Sequence, residues 1–248
     1  MNLTGNTILI TGGGSGIGLA LAEQFHQRGN TVIIVGRRQG ALDAATAANP
    51  GMKSLVMDTA DAASIAIGVA KLTADFPSLN AVINNAGIMR PEDLKQGATA
   101  DAEAIVATNL LGPIRLTAAL MPHLLKQPAA TILTISSGLA FVPLALTPTY
   151  CATKAAIHSW SQSLRYQLKD TKIKVVEIIP PWVATELMGE KPTDPRAMPL
   201  DAYIAETMQV LATDAEEILV KNVLPLRNAA KGDEAGFFKT FNDSLSRR

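Results

Sequence analysis

A short apolar strand, Thr7–Ile10, runs through Thr11-Gly12-Gly13-Gly14-Ser15-Gly16-Ile17-Gly18 straight into a helical pattern over Gly16–Arg28. Few folds need that many glycines between a strand and a helix. Glycine allows positive φ and lets backbone amides approach an anion closely. The helix N-terminus adds further donors and the positive end of its dipole. The segment therefore predicts a pyrophosphate cradle, with Gly12, Ser15, Gly16, Ile17 and Gly18 around the anion. The spacing is G-x-x-x-G-x-G, neither G-x-G-x-x-G nor a P-loop, which would need Lys where Leu19 stands. A glycine turn without a ligand is the plainer alternative. The strand before it and the helix after it argue against that reading.

The rest of the chain repeats the strand–helix rhythm. Strand-length apolar runs fall at Thr31–Val35, Lys53–Met57, Ala81–Asn84, Ala130–Ile135 and Lys174–Ile179. Most are continuously apolar, as strands buried on both faces are. Helical patterns lie between them at Gly40–Ala48, Ala62–Asp75, Asp101–Lys126 and Thr149–Lys169. Six strands with intervening helices predict a doubly wound parallel α/β sheet, a Rossmann fold. After Pro180 the rhythm breaks at Pro181, Pro192, Pro195 and Pro199, and a helix follows near Asp201–Ala212. The expectation is one NAD(P)-binding domain over residues 1–248, with 181–215 as a substrate-side lobe. A weak strand at Glu217–Val220 and a helix at Lys231–Leu245 close the chain.

Composition narrows the partners. Acidic and basic residues balance at 22 each, so no global field attracts nucleic acid or an anionic membrane. The single cysteine, Cys151, permits no intrachain disulfide or cysteine metal cluster. His26, His123 and His158 show no paired-ligand spacing, so no metal is expected. No uninterrupted apolar run reaches the roughly 18 residues of a membrane span. Met1 to Thr11 lacks a basic flank and a cleavage-like site. A soluble cytoplasmic protein is expected.

The second strand ends in Val35-Gly36-Arg37-Arg38. NAD-binding sheets tend to place an acid here for the ribose 2′-hydroxyl. Glycine and two arginines suit a 2′-phosphate instead, so NADP (NADPH) is expected over NAD, with Arg37 the main contact and Arg38 the second. Tyr150 and Lys154 stand four apart near a helix start and share one face. A cation and a helix N-terminus both favour a phenolate, which predicts a lowered Tyr150 pKa and a tyrosine that exchanges protons. Ser137, thirteen residues earlier at a strand end, faces the ligand crevice of such a sheet. Asn109 interrupts an apolar helix, either as a satisfied buried amide or as the anchor of a water relay to Lys154.

These marks together resemble the short-chain dehydrogenase/reductase family over nearly the whole chain: Thr11-Gly12…Gly16…Gly18, Asn84-Asn85-Ala86-Gly87, Asn109, Ser137, and Tyr150…Lys154. Within it, Leu125-Lys126-Gln127-Pro128 and the stretches Ser136-Ser137-Gly138-Leu139-Ala140-Phe141 and Pro180-Pro181 resemble a bacterial subgroup associated with the teichoic acid D-alanylation operon. The resemblance implies that Tyr150 donates or accepts the proton, Ser137 orients the carbonyl, Lys154 holds the ribose hydroxyls and Asn109 anchors a water. It further implies that Asp58 meets the adenine, and Asn85, with Ala86 and Gly87, the adenosine side. Val183 and Thr185 would meet the nicotinamide carboxamide. One departure is Pro180-Pro181-Trp182 where the family often has Pro-Gly. The second proline stiffens the way into the lobe, and Trp182 narrows the pocket.

The resulting expectation is an NADP-dependent oxidoreductase acting on a small carbonyl or alcohol. Leu139, Phe141, Trp182, Leu187 and Met188 suggest an apolar substrate. A non-catalytic NADP-binding sensor on the same fold is the alternative; retention of Ser137, Tyr150 and Lys154 opposes it. A sugar-nucleotide epimerase or dehydratase would need a longer chain and another glycine spacing. Small residues Ala152, Ala155, Ala156, Ser159 and Ser163 on one helix predict close helix pairing in a homodimer or homotetramer.

Overall fold

The apolar runs become strands β1 (Thr7–Thr11), β2 (Thr31–Gly36), β3 (Lys53–Val56), β4 (Leu79–Asn84), β5 (Ala130–Ile135), β6 (Ile173–Ile179) and β7 (Glu217–Leu219) in a computed structural model that describes residues 2–189, 193–229 and 234–246. The helices are α1 (Gly16–Gln27), α2 (Gln39–Ala48), α3 (Ala62–Asp75), α4 (Ala100–Val106), α5 (Gly112–Leu124), α6 (Pro148–Gln167), α7 (Leu200–Leu211), α8 (Leu224–Arg227) and α9 (Glu234–Ser246). All seven strands join one parallel sheet in the order β3-β2-β1-β4-β5-β6-β7.

Burial explains the strand sequences. Every residue of β1 is buried, β4 and β5 are buried from their third residue on, and β2 is buried from Val32 to Val35. Branched residues fill a pleated surface that has no solvent face. The edge strand β3 differs: Lys53 and Ser54 are exposed, the polar edge that discourages pairing with another chain. On one face, Leu21 and Phe25 of α1, Leu42 of α2 and Tyr203, Ile204, Met208 and Leu211 of α7 form a core with Ile8, Ile10 and Ile34. On the other, Ile65 and Leu72 of α3 and Leu116, Leu120 and Leu124 of α5 pack on Leu9, Ile33, Val82 and Ile132.

Several boundaries depart from the sequence expectation. β4 starts at Leu79, two residues early, because Leu79 pairs with Thr7 before the register shifts at Ile8. The expected helix Asp101–Lys126 is interrupted by a π-helical turn over Ala107–Leu111. Pro113 has no N–H, so the Asn109 carbonyl loses its ordinary i+4 donor, and the Gly112 N–H closes a wider turn on the Ala107 carbonyl. The weak seventh strand is a full member of the sheet, paired with β6. α8 was not anticipated. The start of the expected terminal helix, residues 231–233, lies outside the described residues.

By length and composition alone, the helical run Ala100–Leu124 would suffice to cross a membrane. Here its apolar side, Leu116, Leu120 and Leu124, is fully buried in the core against the sheet.

In this strand order the chain leaves β1 toward β2 and β3, then returns to β4 on the other side. Crevices for ligands form at such switch points, outside the carboxyl ends of the strands. The loops after β1 and β4 meet there.

Candidate active site

The glycine loop is built to close tolerances. Gly12 and Gly16 have φ of 64° and 55°, backbone that other residues rarely adopt. A Cβ on Gly18 would stand 2.4 Å from both the Gly12 carbonyl oxygen and Asn85 Nδ2. The loop is also fastened to β4. Thr11 Oγ1 accepts from the Asn85 and Ala86 backbone N–H groups at 2.9 Å, and Asn85 Nδ2 donates to the Thr11 carbonyl at 2.8 Å. Thr11, which heads the glycine motif but carried no assigned role, builds the site with a hydroxyl at the last position of a buried strand. Asn85 and Ala86 thereby stand against Gly12, and the Asn85 amide against Gly18 as well.

At the end of β2, Arg37 and Arg38 are both exposed. Arg38, expected to be the second contact, is the one that reaches the loop, with Nη2 3.4 Å from Ser15 Oγ. Asp58 follows β3, next in the sheet. Its carboxylate accepts from the Ala60 N–H at 2.9 Å, and its own N–H donates to Ser64 Oγ.

Asn109 is 2% exposed and its amide is satisfied at both ends. Oδ1 accepts from the Ile88 N–H, and Nδ2 donates to the Ile88 carbonyl, both at 2.9 Å. This clamps the loop after β4 against the π turn, the kind of helical irregularity that recurs at functional sites.

Tyr150 lies in the first turn of α6, in a small core with Ile105 and Cys151 against which Ile88, Met89, Leu139 and Leu144 pack. Pro148 starts the helix, where its missing N–H is harmless. The next N–H, of Thr149, donates to Glu92 at 3.0 Å, and the Thr149 hydroxyl donates to the same carboxylate at 2.7 Å. A glutamate from the loop after β4 thus caps the helix that bears the tyrosine. Lys154 Nζ, one turn on, is 5.5 Å from the Tyr150 ring centroid and donates to the Ile135 carbonyl at 2.7 Å. Ser137, at the end of β5, is buried and extended, and its hydroxyl accepts from the Leu139 N–H.

The lowered tyrosine pKa expected from neighbouring charge is corrected. Burial pushes the Tyr150 phenol well above its ordinary range, and hydrogen bonding with Ser137 offsets only part of that rise. Cys151, next in the chain, pushes the phenol the same way as burial, and the two influences expected to favour a phenolate are both weakened. Glu92 already occupies the helix N-terminus, where the dipole would have favoured a phenolate. Lys154 is itself buried, and the loss of water lowers its pKa to about 8.

The segment after β6 crosses over the glycine loop. Val183 pairs with Met198 and is buried, and the Thr185 N–H donates to the Val183 carbonyl at 2.8 Å. Thr185 lies 3.8 Å from where a Gly16 Cβ would be. Trp182, Leu187 and Met188 are exposed at this lobe, and Arg196 lies over the Trp182 ring. Phe141, expected in the pocket, instead packs edge-on against His158 at 4.8 Å, with the Arg227 guanidinium over its ring. Among the described residues, the histidines, scattered in sequence, give one spatial grouping: His158 with Glu177 and Glu217, ligand atoms within 4.8 Å of one another.

The model of the short chain dehydrogenase family matches residues 6–196. The chain belongs to the short-chain dehydrogenase family. It is 40% identical over 250 residues, 98% of either chain, to DltE, an uncharacterized oxidoreductase of Bacillus subtilis (strain 168). Its fold is similar to a short-chain dehydrogenase from Sphingobium yanoikuyae in complex with NADPH, with a TM-score of 0.80, 26% identity and coverage of 97% of this chain and 94% of that one. It is also similar to a Burkholderia phymatum short-chain dehydrogenase/reductase in complex with NAD, with a TM-score of 0.79, 21% identity and coverage of 92% and 93%.

Proposed function

We propose that the chain is an NADP(H)-dependent oxidoreductase that transfers a hydride between nicotinamide and a carbonyl/alcohol pair on a small, mostly apolar substrate. The observation that supports this most strongly is the convergence of Ser137, Tyr150 and Lys154 at the end of β5, with the glycine cradle after β1 two strands away in the same sheet. The residues present fit a dinucleotide. Gly12 and Gly18 leave no room for a Cβ, which keeps backbone amides open to a pyrophosphate. Asp58, Asn85, Ala86 and Gly87 would bound the adenosine side, Lys154 the ribose, and Val183 and Thr185 the carboxamide. When bound, the nicotinamide supplies or receives the hydride.

The chain's own residues handle the proton and the position of the substrate. The Ser137 hydroxyl holds the substrate oxygen beside the Tyr150 phenol. Tyr150, kept protonated by burial at neutral pH, gives its proton to that oxygen as a carbonyl is reduced, and takes it back in the reverse direction. Asn109 anchors a water on the way from Lys154 to solvent; its carbonyl, without a donor from Pro113, is the acceptor for that water. Leu139 and the exposed Trp182, Leu187 and Met188 exclude water from the substrate.

NADP preference follows from Arg37 and Arg38 at a position without an acid. Losing charge-assisted hydrogen bonds costs about 1.5–3 kcal/mol each, roughly ten- to hundred-fold in affinity. Arg37→Ala and Arg38→Ala are each expected to weaken NADPH by at least that lower factor and to spare NADH. Fluorescence titration measures both, and equal losses for the two cofactors would contradict the assignment.

Ala152, Ala155, Ser159 and Ser163 all lie on the exposed side of α6, where small side chains permit close approach of a second helix. A homodimer or homotetramer with a two-fold interface is expected. Light scattering at micromolar concentration checks this, and a monomer mass would rule it out.

A further inference from the structure

Beneath Lys154, between α6 and the sheet, lies a set of charges that the chemistry above does not use. Lys154, His158 and Ser161 follow one another at spacings of four and three, and so form one stripe along α6. Lys154 reaches the Ile135 carbonyl, His158 Nδ1 sits 2.9 and 3.0 Å from the two carboxylate oxygens of Glu177, and Ser161 Oγ is 2.7 Å from Thr134 Oγ1. Glu177 is fully buried in β6, in register with Thr134 on one side and with Glu217 of β7 on the other. Arg227 of α8 holds the Glu217 carboxylate through Nε at 2.9 Å and Nη2 at 3.3 Å. The grouping has the compactness of a metal site, but Arg227 already supplies a cation to it.

The charges balance without an ion. Lys154 and Arg227 supply the basic groups, Glu177 and Glu217 the carboxylates, and the His158 imidazole bonds the Glu177 carboxylate. Arg165, further along α6, turns away to the Val175 carbonyl and the Glu216 carboxylate. Tyr150 and the buried Cys151 are the further titratable groups at the start of α6. A carboxylate is retained in so dry a place only when it is paired and hydrogen-bonded.

We propose that Glu177, braced by His158, is a positioning residue for the reaction: its buried carboxylate is the counter-charge that holds the Lys154 ammonium behind Tyr150. Burial disfavours a charged amine, and an opposite charge nearby restores it. Both effects act on Lys154, with burial the larger and Glu177 the group that opposes it. The same carboxylate helps to hold Arg227 protonated from the other side. This inference rests on the reading that Lys154 serves the reacting tyrosine, but its test does not.

The test is a pH titration of lysine side-chain signals by NMR in the full chain, with Lys154→Met identifying the resonance. In the parent, Lys154 is expected to titrate near 8. In Glu177→Gln its midpoint is expected to fall by about one pH unit or more, a tenfold loss of proton affinity. An unchanged midpoint in Glu177→Gln would overturn the inference. So would a parent midpoint below about 6, the range of buried lysines without compensation; that arm does not depend on Glu177→Gln folding. Failure of the parent to bind NADPH would instead retract the cofactor reading and leave the lysine result standing.

Discussion

Replacing Tyr150 with phenylalanine is expected to lower turnover by about 10²–10⁴ while NADPH affinity stays close to that of the parent. The ring belongs to a small core with Ile105 and Cys151, and phenylalanine keeps the ring there while removing the hydroxyl that carries the exchangeable proton. Burial sets the direction of the pH dependence. A phenol raised above its ordinary range stays protonated through neutral pH, so carbonyl reduction is expected to be flat below about 8. Above that value Lys154 gives up its proton, and reduction is expected to fall. Alcohol oxidation requires the phenolate and is expected to climb as pH rises. Steady-state rates in both directions across pH 6–10 read out these trends. A Tyr150→Phe enzyme that turned over near the parent rate would remove the tyrosine from the mechanism.

Lys154→Met is expected to damage catalysis and cofactor binding together, because one side chain is assigned to both the phenol and the ribose. It also carries a stability signature. The folded-state pKa of Lys154 is lowered from 10.5 to about 8, so between those values the unfolded chain binds more protons than the folded one. Parental stability therefore gains from this group as pH rises from 8 toward 10.5, and the cost of burying the ammonium is fully present below 8. The methionine variant has no such dependence. From pH 7 to pH 10 the balance is expected to move toward the parent by about 2–3 kcal/mol, several degrees in melting temperature for a chain of this size. Melting curves of both proteins at the two pH values check this, and a constant difference would contradict it.

Much of this site was legible because its parts are local in sequence. The glycine loop has its strand before and its helix after it, and Tyr150 and Lys154 are one turn apart. Continuous apolar runs in β1, β2 and β5 announced a doubly covered sheet. Less legible were contacts made by distant segments. Glu92 caps the helix that bears Tyr150 from 57 residues away, and Glu177 was given no role until the fold placed His158, 19 residues earlier, against it. The π turn had a local signal in Gly112-Pro113, but the helical periodicity on either side concealed it. The tyrosine pKa was misread for a related reason. Nearby charge can be counted along a helix, whereas burial depends on Ile105 and on the loop that follows β4, and here burial dominates.

The most direct test of the hydride-transfer assignment is a screen of small apolar ketones, aldehydes and alcohols for NADPH oxidation or NADP reduction near neutral pH, with the parent and Tyr150→Phe side by side. The expected result is cofactor turnover by the parent with at least one carbonyl or alcohol, reduced by about 10²–10⁴ in the variant. Saturable NADPH binding by the parent, with no turnover above that of Tyr150→Phe across the panel, would contradict the assignment and make the chain a nucleotide-binding sensor on a dehydrogenase fold.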